Sequence, residues 1–123
     1  MHLNFDPEAK IADEIKFDEF LKVDIRIGEV VSVEDFPEAR KPSYKLKLDF
    51  GAGVGIKKTS AQITDLYTKE NLLGKKLLAV VNFPPRQIGK FMSEVLVLGL
   101  SDHENNIVLT QFDKDVPNGS RLH

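Results

Sequence analysis

The clearest pattern in the chain is an alternation. Tyr44, Leu46, Leu48 and Phe50 alternate with Lys45, Lys47 and Asp49. That is the period of a half-buried strand, with one face for the core and a cationic face outward. Upstream, Val23, Ile25, Ile27, Val31 and Val33 share one face, while Asp24, Arg26, Ser32 and Glu34 share the other. Glu29 interrupts the apolar face beside Gly28, which predicts a bulge there in a long, bent first strand. Ile56 to Ile63 (IKKTSAQI) predicts a third strand. Lys76 to Phe83 and Glu94 to Leu100 are nearly continuous apolar runs and predict two central strands. Ile107 to Phe112 adds one more short strand.

Helical spacing is confined to short stretches. Asp6 as N-cap and Pro7 in the first helical position predict a short helix with Ile11, Ala12 and Ile15 on one face. Phe17, Phe20 and Leu21 are spaced to cap one end of the core. Thr64 to Leu73 predicts a helix capped by Thr64, with Asp65 in its first turn and Gly74 as its stop. FPEARKP (Phe36 to Pro42), GAGVG (Gly51 to Gly55), SDHENN (Ser101 to Asn106) and VPNG (Val116 to Gly119) are turns. GAGVG is not a dinucleotide fingerprint, since no helix follows it. Three strands, a helix and two strands is the order of the oligonucleotide/oligosaccharide-binding (OB) fold. The expected fold is therefore all-β: a small OB-fold barrel with one short helix between strands 3 and 4, plus N- and C-terminal extensions. Residues 1–16 form an extension and residues 17–123 the domain. Additions at both ends of a small barrel are natural material for a homodimer interface.

Composition removes several classes of chemistry. The 123 residues suit one domain and one core. There is no cysteine, and of the three histidines His2 and His123 are terminal and His103 lies in a polar turn; no metal and no cofactor is expected. Glu94 and Ser93 have no histidine near them in sequence and no nucleophile elbow appears, so catalysis is not expected. No signal-peptide pattern opens the chain and no apolar stretch reaches membrane-spanning length, which predicts a cytoplasmic protein without membrane insertion. The net charge of −2 conceals a segregation. Residues 1–39 carry −7, residues 40–90 carry +8 and residues 91–123 carry −3. A basic face is thus available from the middle of the chain.

Candidate chemistry gathers in Leu77 to Leu100, where two core-like runs bracket a polar, proline-rich connection. Phe83, Pro84, Pro85, Ile88, Phe91 and Met92 form a local apolar cluster beside cations, suited to a polypeptide ligand. The competing role for Phe83 and Phe91 is to close one barrel end or fill a dimer core. Arg40, Lys41, Lys57, Lys58, Arg86 and Lys90 can meet phosphates. Ser60, Asn82, Ser93 and further polar groups can hydrogen-bond to sugars or bases. Lys45 and Lys47 can also meet phosphates, but for these two a solvated strand face is the favoured reading. Few aromatics accompany the cations, which points to shape and backbone recognition before sequence readout.

DIRIGEV (Asp24 to Val30), KKTSAQI (Lys57 to Ile63), VVNFPPR (Val80 to Arg86) and SEVLVLG (Ser93 to Gly99), in this order and spacing, resemble the tRNA-binding-domain family of the OB fold. The resemblance covers roughly residues 17–123 and leaves the first sixteen residues outside it. It implies a non-catalytic binding module, a homodimer, and a site that includes Arg86, Lys90, Lys57, Lys58, Ser60, Asn82, Ser93 and Glu94. In tRNA-binding relatives the serine opens an S-x-G-M run; here it reads Ser93-Glu94-Val95-Leu96. This departure favours the family's secretion-associated chaperone branch. The expected partners are unfolded or preprotein polypeptides, with tRNA as the alternative.

Overall fold

β1 (Ile25–Asp35) is the strand from which the barrel is built. Its first half pairs with β4 (Lys76–Val80) and its second half with β2 (Tyr44–Asp49), the change of partner falling at Glu29. With β3 (Ile56–Ala61) and β7 (Leu96–Val97) these make one antiparallel sheet of order β3-β2-β1-β4-β7. α2 (Lys69–Leu72) lies between β3 and β4. β5 (Arg86–Ile88) and β6 (Phe91–Ser93) form a separate hairpin, as do β8 (Gly99–Ser101) and β9 (Ile107–Leu109). This is the all-β OB-type barrel that the alternating pattern predicts. The computed structural model describes residue 3 and residues 5–123; Met1, His2 and Asn4 lie outside the described residues.

The barrel nearly closes where β3 meets the chain after β6. The Glu94 amide donates to the Lys58 carbonyl at 2.9 Å, and the Lys58 amide donates to Glu94 Oε1 at 3.0 Å. Beneath this seam Thr59 Oγ1 donates to the Val95 carbonyl at 2.7 Å and shares a 3.0 Å hydrogen bond with Ser93 Oγ. Ser93 Oγ also accepts from the Ser60 amide at 3.1 Å. Buried hydroxyls are tolerable here because each is paired.

Val30, Leu46, Leu48, Leu72, Leu77 and Phe50 fill the core. Two glycines make room for Phe50. A Cβ on Gly28 would stand 2.7 Å from the Phe50 ring, and one on Gly119 would stand 2.3 Å from the Phe50 carbonyl oxygen. Gly119 also has φ of +90°, a conformation that favours glycine. It starts the C-terminal tail along β1, where the Gly119 amide donates to the Ile27 carbonyl at 2.8 Å and the Ile27 amide to the Ser120 carbonyl at 3.0 Å.

Several local expectations are corrected. The bulge is at Val31, between the pairs Val30–Leu48 and Ser32–Lys47, and not at Gly28–Glu29. The slip turns Val30 into the core and leaves Val31 exposed. The helix after β3 begins at Lys69, because Thr68 and not Thr64 forms the cap, in a capping box with Asn71. Asp6 and Pro7 make only a single turn, in which the Glu8 amide donates to Asp6 Oδ1 at 2.9 Å, and no helix carries Ile11 and Ile15. α1 (Phe17–Leu21) exists but buries no residue, so Phe17 and Leu21 do not cap the core. The run Glu94–Leu100 divides into β7 and β8, and Ile107–Phe112 narrows to β9.

Candidate ligand-binding face

The outer face of β1–β3 follows from register. Lys47 stands opposite Lys58, Lys45 opposite Ser60 and Glu34, and Ser32 opposite Lys47. Alternation puts all six side chains on the side away from Leu46 and Leu48. Onto this face the β5–β6 hairpin lays Phe91. In that hairpin Ile88 pairs with Phe91, and Gln87 with Met92. Phe91 and Ser93 therefore share the side turned toward the barrel, and Met92 takes the other.

The Phe91 ring meets the buried Phe36 ring edge-on, with centroids 5.3 Å apart. Lys45 Nζ lies 5.2 Å from the Phe36 centroid and 5.7 Å from that of Phe91, and Lys58 Nζ lies 5.4 Å from Phe91. Lys45 and Lys58 thus hold their charge against aromatic faces. A shallow cavity of about 60 Å³ opens here, lined by Phe91, Lys45, Lys47, Lys58, Glu34, Ser32 and Leu46. Such a surface can stack on a planar or apolar group while two ammonium groups meet an anion beside it.

The structure brings only part of the expected site together. Lys58 and Phe91 meet on this face, with Ser60 at its edge. Lys57 lies on the opposite side of β3, opposite Leu48 in the register. Arg40 and Lys41 are exposed in the β1–β2 turn, and Arg86 and Lys90 are exposed on the hairpin. Phe83, Pro84 and Pro85 are exposed in the turn ahead of β5, and Ile88 is half-buried. Of the six expected polypeptide-binding residues only Phe91 lines the shallow cavity. Ser93 and Glu94 are bound into the barrel seam. Asn82 Oδ1 accepts from the Asp24 amide at 2.9 Å and Asn82 Nδ2 donates to the Lys22 carbonyl at 2.7 Å.

Asn82 belongs to a clasp around the start of β1. Arg26 grips Asp24 through two hydrogen bonds, Nε to Oδ1 at 2.6 Å and the second nitrogen to Oδ2 at 3.1 Å, and Arg121 Nε reaches Asp24 Oδ1 at 3.4 Å. The Arg26 hydrogen bond, reinforced by both guanidinium charges, holds the Asp24 carboxyl below its ordinary pKa despite some burial.

The sequence favoured a solvated strand face for Lys45 and did not single out Phe36. Alternation gave Lys45 an outward direction, but its aromatic partners come from a loop and from a hairpin 46 residues further along. Among the described residues no group of three His, Asp or Glu could hold a metal ion, and no helix is long and apolar enough to cross a membrane.

Comparison with known proteins falls on the same segments. The model of the tRNA binding domain family matches residues 25–121. The methionine–tRNA ligase of Methanocaldococcus jannaschii is 36% identical over 101 residues, which are 82% of this chain and 15% of the ligase. That of Bdellovibrio bacteriovorus is 37% identical over 109 residues, 89% of this chain and 16% of the ligase. The chain thus spans about 15% of the length of such curated relatives. Among solved structures, the chaperone CsaA of Bacillus anthracis str. Ames superposes with a TM-score of 0.84 at 45% identity, covering 90% of this chain and all (100%) of that one. The CsaA chaperone protein of Picrophilus torridus gives 0.83 at 48% identity, covering 89% and 100%.

Proposed function

Because this chain belongs to the tRNA binding domain family, we propose that it is a non-catalytic cytoplasmic chaperone of the CsaA type, linked to export. On this proposal it takes unfolded or signal-bearing polypeptides on the face centred on Phe91. The observation that carries the proposal is the position of Phe91, backed by Phe36 and flanked by Lys45 and Lys58. An apolar ring between two cations suits segments that mix apolar and charged residues. The likeness to two CsaA structures over their whole length supports the same choice. Phe83 and Met92, both exposed, extend apolar surface around the hairpin.

tRNA is the alternative ligand, favoured by the family and by the cations. Lys45, Lys47 and Lys58 would meet phosphates on the face, with Arg40, Lys41, Arg86 and Lys90 around it. Phe91 offers one stacking surface, which suits structure-led recognition of an unpaired region.

The protein would act as a homodimer. Exposed apolar side chains support this: Ile11 is 97% exposed, Phe5 76%, Phe17 70% and Leu100 64%. Surfaces of this kind are usually covered by a partner. Sedimentation showing only monomer at micromolar concentration would refute the dimer.

One pair of assays separates the two ligands. Suppressed aggregation of an unfolded client, unaffected by added tRNA, supports the chaperone. Filter binding of mixed tRNA that is tight at low salt and collapses with added salt, without client protection, supports the RNA ligand and overturns the first choice.

A further inference from the structure

The barrel leaves its amino-terminal arm uncovered. Residues 5–16 precede α1, form no helix or strand, and are all exposed. Among the described residues no hydrogen bond or ion pair ties residues 5–15 to the barrel. The arm carries Phe5, Ile11 and Ile15, with Asp6, Glu8, Asp13 and Glu14 against Lys10 and Lys16. It is thus a segment that mixes apolar and acidic residues.

The Phe91 face has the complementary character. Lys45, Lys47 and Lys58 line it beside the ring, and Glu34 is the one carboxylate in that lining. Among the described residues none of these lysines, nor Arg86 or Lys90 on the hairpin, has a carboxylate within salt-bridge distance. Opposite charges around an apolar contact fix which segment is taken and in which register.

Arm and hairpin also start from one point. Asn82 Nδ2 donates to the Lys22 carbonyl at 2.7 Å and Asn82 Oδ1 accepts from the Asp24 amide at 2.9 Å, so the chain just after α1 is tied to the root of the β5–β6 hairpin. An extended arm from Lys16 back to Phe5 spans about 36–40 Å. The route along α1 and then from Asn82 to the Ile88–Phe91 pair is at most about 40 Å if fully straight, and the chain bends at Asn82 and Phe83. The arm therefore reaches the Phe91 face of its own chain.

We propose that residues 5–16 are a built-in competitor for that face: the arm folds back over the hairpin, sets its apolar side chains against Phe91 and its carboxylates against Lys45 and Lys58, and holds off clients that bind more weakly. The tether gives the arm an effective concentration on the order of millimolar, so a weak contact suffices. The occupied fraction then lowers the apparent affinity of every client. Phe17 and Leu100 stay available to a second copy. The proposal rests on reading the Phe91 face as a polypeptide site.

Two measurements on the full chain test it. An extended peptide combining apolar and acidic residues is titrated by fluorescence anisotropy into the parent and into Ile11→Ser/Glu14→Lys, whose altered side chains touch nothing in the barrel. The variant should bind the peptide about threefold to tenfold more tightly. The chain has no cysteine, so a nitroxide on Ala9→Cys gives one defined probe. It should broaden the amide signals of Lys45, Lys58 and Phe91, and added peptide should restore them. The broadening should persist when labelled chains are diluted into excess unlabelled parent. Loss on dilution would place the arm on a second copy and overturn the intramolecular contact. Peptide binding at Phe91 with no broadening there, or with equal affinity in parent and variant, would overturn the competitor and leave the proposed function standing. Broadening at the face with no peptide bound would support the arm contact and overturn the client site.

Discussion

The planes of the Phe91 and Phe36 rings cross at 62°, so the edge of one ring supports the other. Phe36 is only 6% exposed and cannot offer a ligand much surface of its own. Its contribution is to fix Phe91. An edge-to-face pair is worth about 0.5–1.5 kcal/mol beyond burial. Phe36→Leu should therefore weaken ligand binding by about threefold to tenfold in a protein that remains folded. Calorimetric titration of the ligand into the variant checks this, and affinity equal to that of the parent would mean Phe91 needs no support.

Ser93 helps to hold the barrel seam through its hydroxyl. Removing its hydroxyl strands the Ser60 amide and one bond of Thr59, whose side chain is fully buried. Ser93→Ala should cost about 1–3 kcal/mol of stability in denaturant unfolding. Combined with Thr59→Val, the total should fall short of the sum, because both act on one network. Strict additivity would argue against a shared seam.

Phe50 sets the terms for two motif glycines. Gly119→Ala meets both a positive φ and the Phe50 carbonyl oxygen, and should be the more damaging. We expect about 2–4 kcal/mol for it and about 1–3 kcal/mol for Gly28→Ala, where the ring can give way. Thermal unfolding would rank them; a harmless Gly119→Ala would show that the tail need not follow β1 at that point.

Asp24 couples the clasp to pH. Its pKa is lowered in the folded state, chiefly by the Arg26 hydrogen bond. Its contribution is therefore fully present above the ordinary aspartate value of about 3.9 and is lost as pH falls through the lower folded value. Asp24→Asn should lower stability by about 1–3 kcal/mol at pH 7, since a charged hydrogen-bond pair is broken. The gap between variant and parent should narrow below about pH 4. A gap of constant size from neutral to acid pH would assign the loss to packing instead.

Much of the barrel was legible because alternation is local. Tyr44 to Phe50 displays its period without reference to any other segment, and the order of strands and helix followed. What escaped depended on distant partners. The bulge at Val31 is set by how β2 registers against β1, so Gly28 looked like the irregular residue when its lack of a side chain in fact serves Phe50. Thr64 and Thr68 are equally good caps in isolation, and Asn71 decides between them. In the candidate site, KKTSAQI was recognisable as a motif, yet only β-alternation separates Lys58 from Lys57. Nothing short-range could reveal that Asn82, Ser93 and Glu94 spend their polar groups on the fold. Lys45 could not be distinguished from a solvated lysine until Phe36 and Phe91 were placed beside it.

The assignment of the ligand face rests on Phe91 and its two lysines, and one measurement addresses it directly. An extended peptide combining apolar and acidic residues would be titrated, by fluorescence anisotropy, into the parent, Phe91→Ala and the double variant Lys45→Ala/Lys58→Ala, each first shown to be folded by its amide NMR spectrum. Loss of affinity of about tenfold or more in both variants, a difference of roughly 1.4 kcal/mol, is the predicted result. Parent-like affinity in Phe91→Ala would contradict it and move the binding surface elsewhere on the barrel.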